Sequence, residues 1–205
     1  MLFDDTFKTI SKPSEGIFRD KGSRFFAYLY PIQSEAEIKD IIAELKSLHP
    51  KASHHCWAIR LSLDRSIFRL NDDGEPSGTA GRPILNTLLS FDLTNVIAVV
   101  IRYFGGTLLG IPGLINAYKT ATALALQLSP IIKKPIEIAY ELNFDYHQMN
   151  EVMMLVKQYN CSVVEQTAQL FIQLQIGIPK NRLDEVLEKL GALREVSFKA
   201  TLKLD

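Results

Sequence analysis

The sequence predicts a two-domain α+β fold, and three observations predict it. Segments with strand character alternate with segments of helical periodicity along the whole chain. The hydrophobic pattern stops at Lys133-Lys134-Pro135 and restarts beyond it. The chain has 205 residues, enough for one large domain or two small ones, and its 47% apolar content is enough to build a core. The domains are expected at 1–133 and 134–205.

The first stretch, Asp5 to Tyr30, reads as extended, and Pro31 ends it. A helix is expected from about Ser34 to Leu48. Ser34 is placed as N-cap with Glu37 at capping-box spacing. Ile38, Ile41, Ile42 and Leu45 recur at the spacing of one buried face. His54 to Leu63 suits a strand, and NDDGEPSG is a cluster of turn residues. A helix follows from about Gly81 to Leu89, with Pro83 tolerated in its first turn. Asn95 to Phe104 lacks polar alternation, which predicts a central strand buried on both faces. Gly105 and Gly106 break it. Pro112 opens a helix to about Leu128, with an apolar face of Leu114, Ala117, Tyr118, Ala121, Leu124, Ala125 and Leu128.

Lys133, Lys134 and Pro135 read as a linker. Beyond it, Ile136 to Phe144 alternates like a strand. Tyr146 to Tyr159 is helical, with Met149, Val152, Met153 and Val156 on one face. Met149, Met153 and Met154 are expected in the core. Cys161 to Glu165 and Gln169 to Ile178 are two strands. Asn181 to Leu190 is a helix capped by Gly191, and Val196 to Leu204 alternates again. The order β-α-β-β-α-β is that of a ferredoxin-like split βαβ unit.

Lys plus Arg and Asp plus Glu both count 23. A chain with no net charge lacks a global field for nucleic acid or anionic membrane, so any such binding needs a local patch. Cys56 and Cys161 make no disulfide framework and are expected as reduced thiols. The segment MLFDDTFKTI carries acids where a signal peptide carries basic residues, and no apolar run approaches a membrane span. A cytoplasmic protein with no membrane partner and no cofactor is expected.

Four segments could carry chemistry. Asp72, Asp73 and Glu75, with Ser77 and Thr79, could hold a divalent cation or supply a general base, although acids and turn residues also suit a tight turn before a helix. Arg102 leads through Gly105, Gly106 and Gly113 into a helix, where backbone N–H groups and the helix dipole can bind an anion. Glycines needed for tight packing are the alternative. His54-His55-Cys56 contains zinc-ligating types, but on a strand His55 faces away from the other two. A histidine pair lining a cleft fits better. Arg19, Lys21 and Arg24, around Gly22 and Ser23, form a short basic patch that could contact phosphate, with an ordinary solvated turn as the equal alternative. The Asp72–Thr79 and Phe104–Gly113 loops each adjoin a helix N-terminus, and the expectation is one shared cleft, with Arg102 or Arg82 as its positive element.

The segments DKGSRFFAYLYPI, KASHHCWAIRL, NDDGEPSGTAGRPIL and VVIRYFGGTLLGIPGLINAYKTA stand in that order. They resemble the signature blocks of the Impact family, the YigZ-like proteins. The resemblance covers residues 15 to about 125, and the βαββαβ segment is similar to the small C-terminal domain of bacterial members. It implies an N-terminal domain of the ribosomal protein S5 second-domain type and a C-terminal domain similar to one in elongation factor G. Eukaryotic members resemble this chain in the first domain only. They act as translational regulators by binding a partner of the amino-acid-starvation kinase. Some members are called proline dipeptidases, but no di-metal ligand set stands here. Where the family often has lysine and arginine, this chain has Leu108 and Asn116, which removes two basic positions from the glycine loop. The expected function is a non-enzymatic, translation-linked binding protein that contacts RNA, the ribosome or a protein factor. The alternative is a metal-assisted hydrolase using Asp72, Asp73, Glu75 and His55.

Overall fold

The computed structural model describes residues 5–63, 66–168 and 170–201. The fold is mixed α/β, with five α-helices and three sheets among these residues. Its contacts separate into two compact units. One is Phe7–Lys134; the other is Pro135 onward, together with Asp5 and Thr6.

In the first unit, β1 (Thr6–Ile10) pairs with β7 (Ile131–Pro135) in a two-stranded sheet. The expected linker residues Lys133, Lys134 and Pro135 are thus strand residues. Their exposed, polar pattern resembles a linker because so short a sheet buries little. A five-stranded sheet of order β2-β3-β6-β4-β5 is formed by Ser14–Asp20, Ser23–Pro31, Val96–Tyr103, His54–Leu61 and Ile67–Asn71. Every neighbouring pair in it is antiparallel. The extended stretch before Pro31 is therefore three strands. Lys21 (φ 43°) and Gly22 (φ 81°) form the two-residue turn between β2 and β3. Positive φ at both central residues matches the strands' right-handed twist.

Strand β6 sits at the centre and carries the apolar run. Val96, Ala98 and Val100 face α2 (Gly81–Ser90) and α3 (Gly110–Gln127). Ile97, Val99 and Ile101 face α1 (Glu37–Leu48). All six are fully buried, as expected for a strand covered on both sides. Each contributes roughly 1.5–3 kcal/mol by burial, alanine less. Ser34 does not cap α1. Its N–H instead donates to Glu37 Oε1 at 2.9 Å, so only the returning half of the capping box forms. Leu128 lies just past α3 and is solvent-exposed, not part of the buried stripe.

In the second unit the strands β8 (Glu137–Phe144), β9 (Ser162–Ala168), β10 (Ile172–Pro179) and β11 (Ser197–Ala200) form a sheet of order β11-β8-β10-β9. Helices α4 (Met149–Gln158) and α5 (Leu183–Ala192) pack on one face through Leu142, Phe144, Val152, Leu174, Ile176 and Val186. Gly191 lies inside α5 and does not cap it. Met154 is 65% exposed and outside the core, because Val152, Leu155 and Val156 already fill the buried stripe. Gln169 and the end of the segment read as Val196–Leu204 lie outside the described residues. No described helix is long and apolar enough to cross a membrane.

Candidate functional site

Strand β4 is antiparallel to both β5 and β6, so β5 and β6 run parallel and end at the same edge of the sheet. The loop after β5 (72–80) and the loop after β6 (104–109) therefore leave from one end. The β2–β3 turn and the start of β4 lie there too, since Arg24 pairs with Tyr103 and His54 with Arg102. Topology thus gathers Lys21, Arg24, His54, His55, Asp72, Asp73, Glu75, Ser77, Thr79, Arg102, Gly105 and Gly106 at one end. Arg82 and Gly113 lie in the first turns of α2 and α3, the helices that these loops lead into.

The three carboxylates do not converge; each has its own partners. Asp72 Oδ1 accepts from the N–H groups of Ala80 and Gly81 at 3.0 and 2.8 Å, and Oδ2 from that of Gly78 at 2.9 Å. It satisfies the free amides at the start of α2 from eight residues upstream, a role usually filled by the N-cap side chain. Asp73 Oδ2 accepts from the His55 N–H at 2.6 Å, and its carbonyl accepts from His54 Nδ1 at 2.8 Å. Since a carbonyl only accepts, His54 carries its proton on Nδ1, and Nε2 faces Glu75 Oε1 at 3.9 Å.

Glu75 is the centre of a buried network. Its Oε1 accepts from Arg102 Nη1 at 2.6 Å and from Tyr118 Oη at 2.8 Å. Cys56 Sγ lies 3.3 Å from Tyr118 Oη and 3.0 Å from the Asp72 carbonyl. The Arg102 guanidinium stands 5.6 Å from each of the Phe25 and Phe104 ring centres. Burial pushes the Cys56 thiol far above its usual range, with the nearby carboxylates adding to the rise. It stays protonated and is no nucleophile. Burial likewise pushes the Tyr118 hydroxyl up, reinforced by Cys56 and Glu75. The network joins β4, the 72–80 loop, β6 and α3. Tyr118 was expected only as part of an apolar face. A tyrosine in an alanine-rich buried stripe is itself a signal, because a buried phenol needs a hydrogen-bond partner.

The His54-His55-Cys56 segment splits as its strand setting requires. Cys56 enters the α2/α3 core, while burial lowers the pKa of His55, partly opposed by Asp73. Among the described residues no three His, Cys, Asp or Glu side chains could hold a metal ion.

The glycine loop is occupied by backbone packing. The Gly105 N–H donates to Ser23 Oγ at 3.1 Å, and a Cβ on Gly105 would overlap the Gly22 backbone. These contacts lock the β2–β3 turn onto the end of β6. Thr79 is buried, its hydroxyl donating to the Pro76 carbonyl at 2.7 Å. The expected cleft floor of free N–H groups from Gly105, Gly106 and Gly113 is therefore replaced, at Gly105, by an internal hydrogen bond. Gly106 has φ +85° with nothing near its absent Cβ, so Gly106→Val strains the backbone and cannot report on binding. One open feature at this end is a shallow concavity of about 390 Å³ lined by Arg19, Asp20, Lys21, Gly22, Ser23 and Arg24. Arg19 and Arg24 stand directly opposite each other across the hairpin, and Arg24 also lies over the Tyr103 ring, 5.1 Å from its centre.

The fold and this end together define a mixed α/β protein whose acid and thiol side chains are used to hold its own loops. Residues 21–126 match the Impact N-terminal domain, and the chain belongs to that family. An IMPACT family member of Haemophilus influenzae is 37% identical over 166 residues, 80% of this chain and 81% of its own. The IMPACT family member YigZ of Escherichia coli is 35% identical over 174 residues, covering 83% and 85%. A crystal structure described only as that of a hypothetical protein superposes with a TM-score of 0.75 at 28% identity, covering 99% of this chain and 100% of its own.

Proposed function

We propose that this protein is a non-enzymatic, cytoplasmic binding protein linked to translation, and that the basic hairpin Arg19–Arg24 is part of its contact surface for RNA, the ribosome or a protein factor. One observation carries the reading. The residues suited to catalysis are engaged internally, while the cations beside them are exposed. Asp72 caps a helix, Glu75 neutralises Arg102, and Cys56 is held as a buried thiol. Arg19, Lys21 and Arg24 are exposed, with no ion pair among the described residues. A metal-assisted hydrolase has no such support, because its three carboxylates face different partners. The translation link rests on the family resemblance. On the same footing the first unit is read as an S5 domain 2-like domain. The second is read as ferredoxin-like, which its element order and its β11-β8-β10-β9 sheet support.

The test is sucrose-gradient sedimentation of the tagged protein from growing and starved cells. The expected result is co-migration with ribosomal or factor-bearing fractions, lost in Arg19→Glu/Arg24→Glu and weakened by salt. Wild-type protein remaining at the top of the gradient under both conditions overturns the reading.

A further inference from the structure

Helices α2 and α3 cover one face of the five-stranded sheet, and neither contains an aspartate or a glutamate. Their only charged residues are Arg82 and Lys119, both exposed and neither ion-paired among the described residues. Along the outer side of α3 and the loop before it, Leu108, Ile111 and Ile115 are 81%, 58% and 39% exposed. Ile111, Ile115 and Lys119 are spaced four apart and share one stripe of α3, and Leu108 stands in the loop just before that helix. The opposite stripe of α3, Leu114, Ala117, Tyr118 and Ala121, fills the core, so these three side chains have no structural task inside the unit. Helices α2 and α3 start at the same end of the sheet and pack beside each other, which puts Arg82 at the same end as the stripe.

Scattered exposed aliphatic side chains need no explanation, but consecutive turns of them on a face free of anions do. Leucine and isoleucine offer no stacking platform for bases, and two cations are few for a phosphate backbone. An apolar centre with a charged rim is the usual make-up of a protein interface. We infer that this face docks an acidic, amphipathic segment of a partner protein. Its apolar side chains lie on Leu108, Ile111 and Ile115, and its carboxylates lie beside Arg82 and Lys119. The inference rests on the binding-protein reading above and adds to the Arg19–Arg24 hairpin a second face, whose partner is a protein.

The test uses the ¹⁵N-labelled full chain and three probes: a 20-residue amphipathic Leu/Glu helix peptide, a shuffled peptide of the same composition, and a 12-nucleotide single-stranded RNA. The expected result is that the amphipathic peptide shifts amides between 107 and 119 and near 82. The shuffled peptide binds at least tenfold more weakly. Leu108→Glu/Ile111→Glu removes the shifts, and Arg82→Glu/Lys119→Glu weakens binding and flattens its salt dependence. Equal binding of both peptides, no binding of either, or RNA shifting the same amides overturns the inference. So does concentration-dependent self-association that Leu108→Glu/Ile111→Glu abolishes. Gradient sedimentation separates this failure from that of the proposed function. Wild type absent from ribosomal and factor-bearing fractions, with peptide binding intact, removes only the translation link. Co-migration that survives Leu108→Glu/Ile111→Glu, with no peptide binding, removes only the docking face.

Discussion

Arg19 and Arg24 face each other directly across an antiparallel pair, where like charges oppose folding. Arg24 is also held over the Tyr103 ring, so Arg19 is the partner to change. Arg19→Glu turns the repulsion into an ion pair and leaves the stacked Arg24 in place. It should raise stability by about 0.2–1 kcal/mol in urea unfolding, and a lower midpoint for the variant counts against the unrelieved pair. Two buried histidines act in the other direction. His49 Nε2 lies 2.9 Å from Tyr28 Oη and its Nδ1 lies 3.0 Å from Tyr103 Oη. Burial lowers the pKa of both His49 and His55 below the ordinary 6.5. The unfolded chain then binds more protons than the folded one below about pH 6.5, so these two groups stabilise fully above that pH. Their contribution is lost as pH falls toward the folded-state values. Thermal melts between pH 7.5 and 5 should show falling stability, with a shallower slope in His49→Phe/His55→Phe. An identical slope in wild type and double variant would place the effect elsewhere.

The Glu75–Arg102–Tyr118 junction determines how loop, strand and helix hold together. The two charged side chains are 3% and 6% exposed, so their attraction is little screened, and either one alone would be a buried, uncompensated charge. Glu75→Gln should therefore cost about 3–5 kcal/mol, whereas Asp72→Ala, which removes the cap of α2, should cost about 0.5–2 kcal/mol. Chemical denaturation of both variants tests the order, and a Glu75→Gln midpoint equal to wild type would show that Arg102 finds another partner. The same elements show how far sequence reading reaches. Strand β6 and helices α2 and α3 were legible because six apolar residues in a row (Val96–Ile101) and a three-and-four apolar stripe are local signals. Strand β5 was not, since Ile67-Phe68-Arg69-Leu70-Asn71 is short and mostly exposed. The pairing of β1 with β7 leaves no local trace, because its partners stand more than a hundred residues apart. The candidate site was legible as a set of positions, because loop residues and strand ends stand out. The roles were not. Nothing near Glu75 in sequence announces Arg102 or Tyr118, and Asp72 resembles a metal ligand until its acceptor oxygens are seen filled by the amides of Gly78, Ala80 and Gly81.

At the scale of the whole molecule, each unit has its own core. The Phe7–Lys134 unit is built around both faces of β6. The unit from Pro135 onward has a separate cluster beneath α4 and α5, centred on Leu142, Leu174, Ile176 and Val186. Cys161, a buried member of that cluster, has its thiol pushed up to about 11 by burial and by Glu137, so it adds packing and no reactivity. A segment with its own apolar cluster and closed hydrogen-bond ladder should fold by itself, but a smaller unit buries a smaller fraction of its surface and is less stable. We therefore predict that residues 7–134 and 135–205, expressed separately, each unfold in one cooperative transition. At about 0.7 kcal/mol per residue near 60 °C, calorimetric enthalpies of roughly 90 and 50 kcal/mol are expected. The second fragment should melt at the lower temperature. Its backbone loses one tie in the cut, because the Ile136 N–H donates to the Asp5 carbonyl at 2.8 Å in the intact chain. Restoring that hydrogen bond by fusing residues 1–6 through a short Gly/Ser linker ahead of Pro135 should raise its melting temperature. A non-cooperative trace from the first fragment would show that the division between Lys134 and Pro135 is not a folding boundary. A second fragment that melts above the first would show that its stability does not follow size.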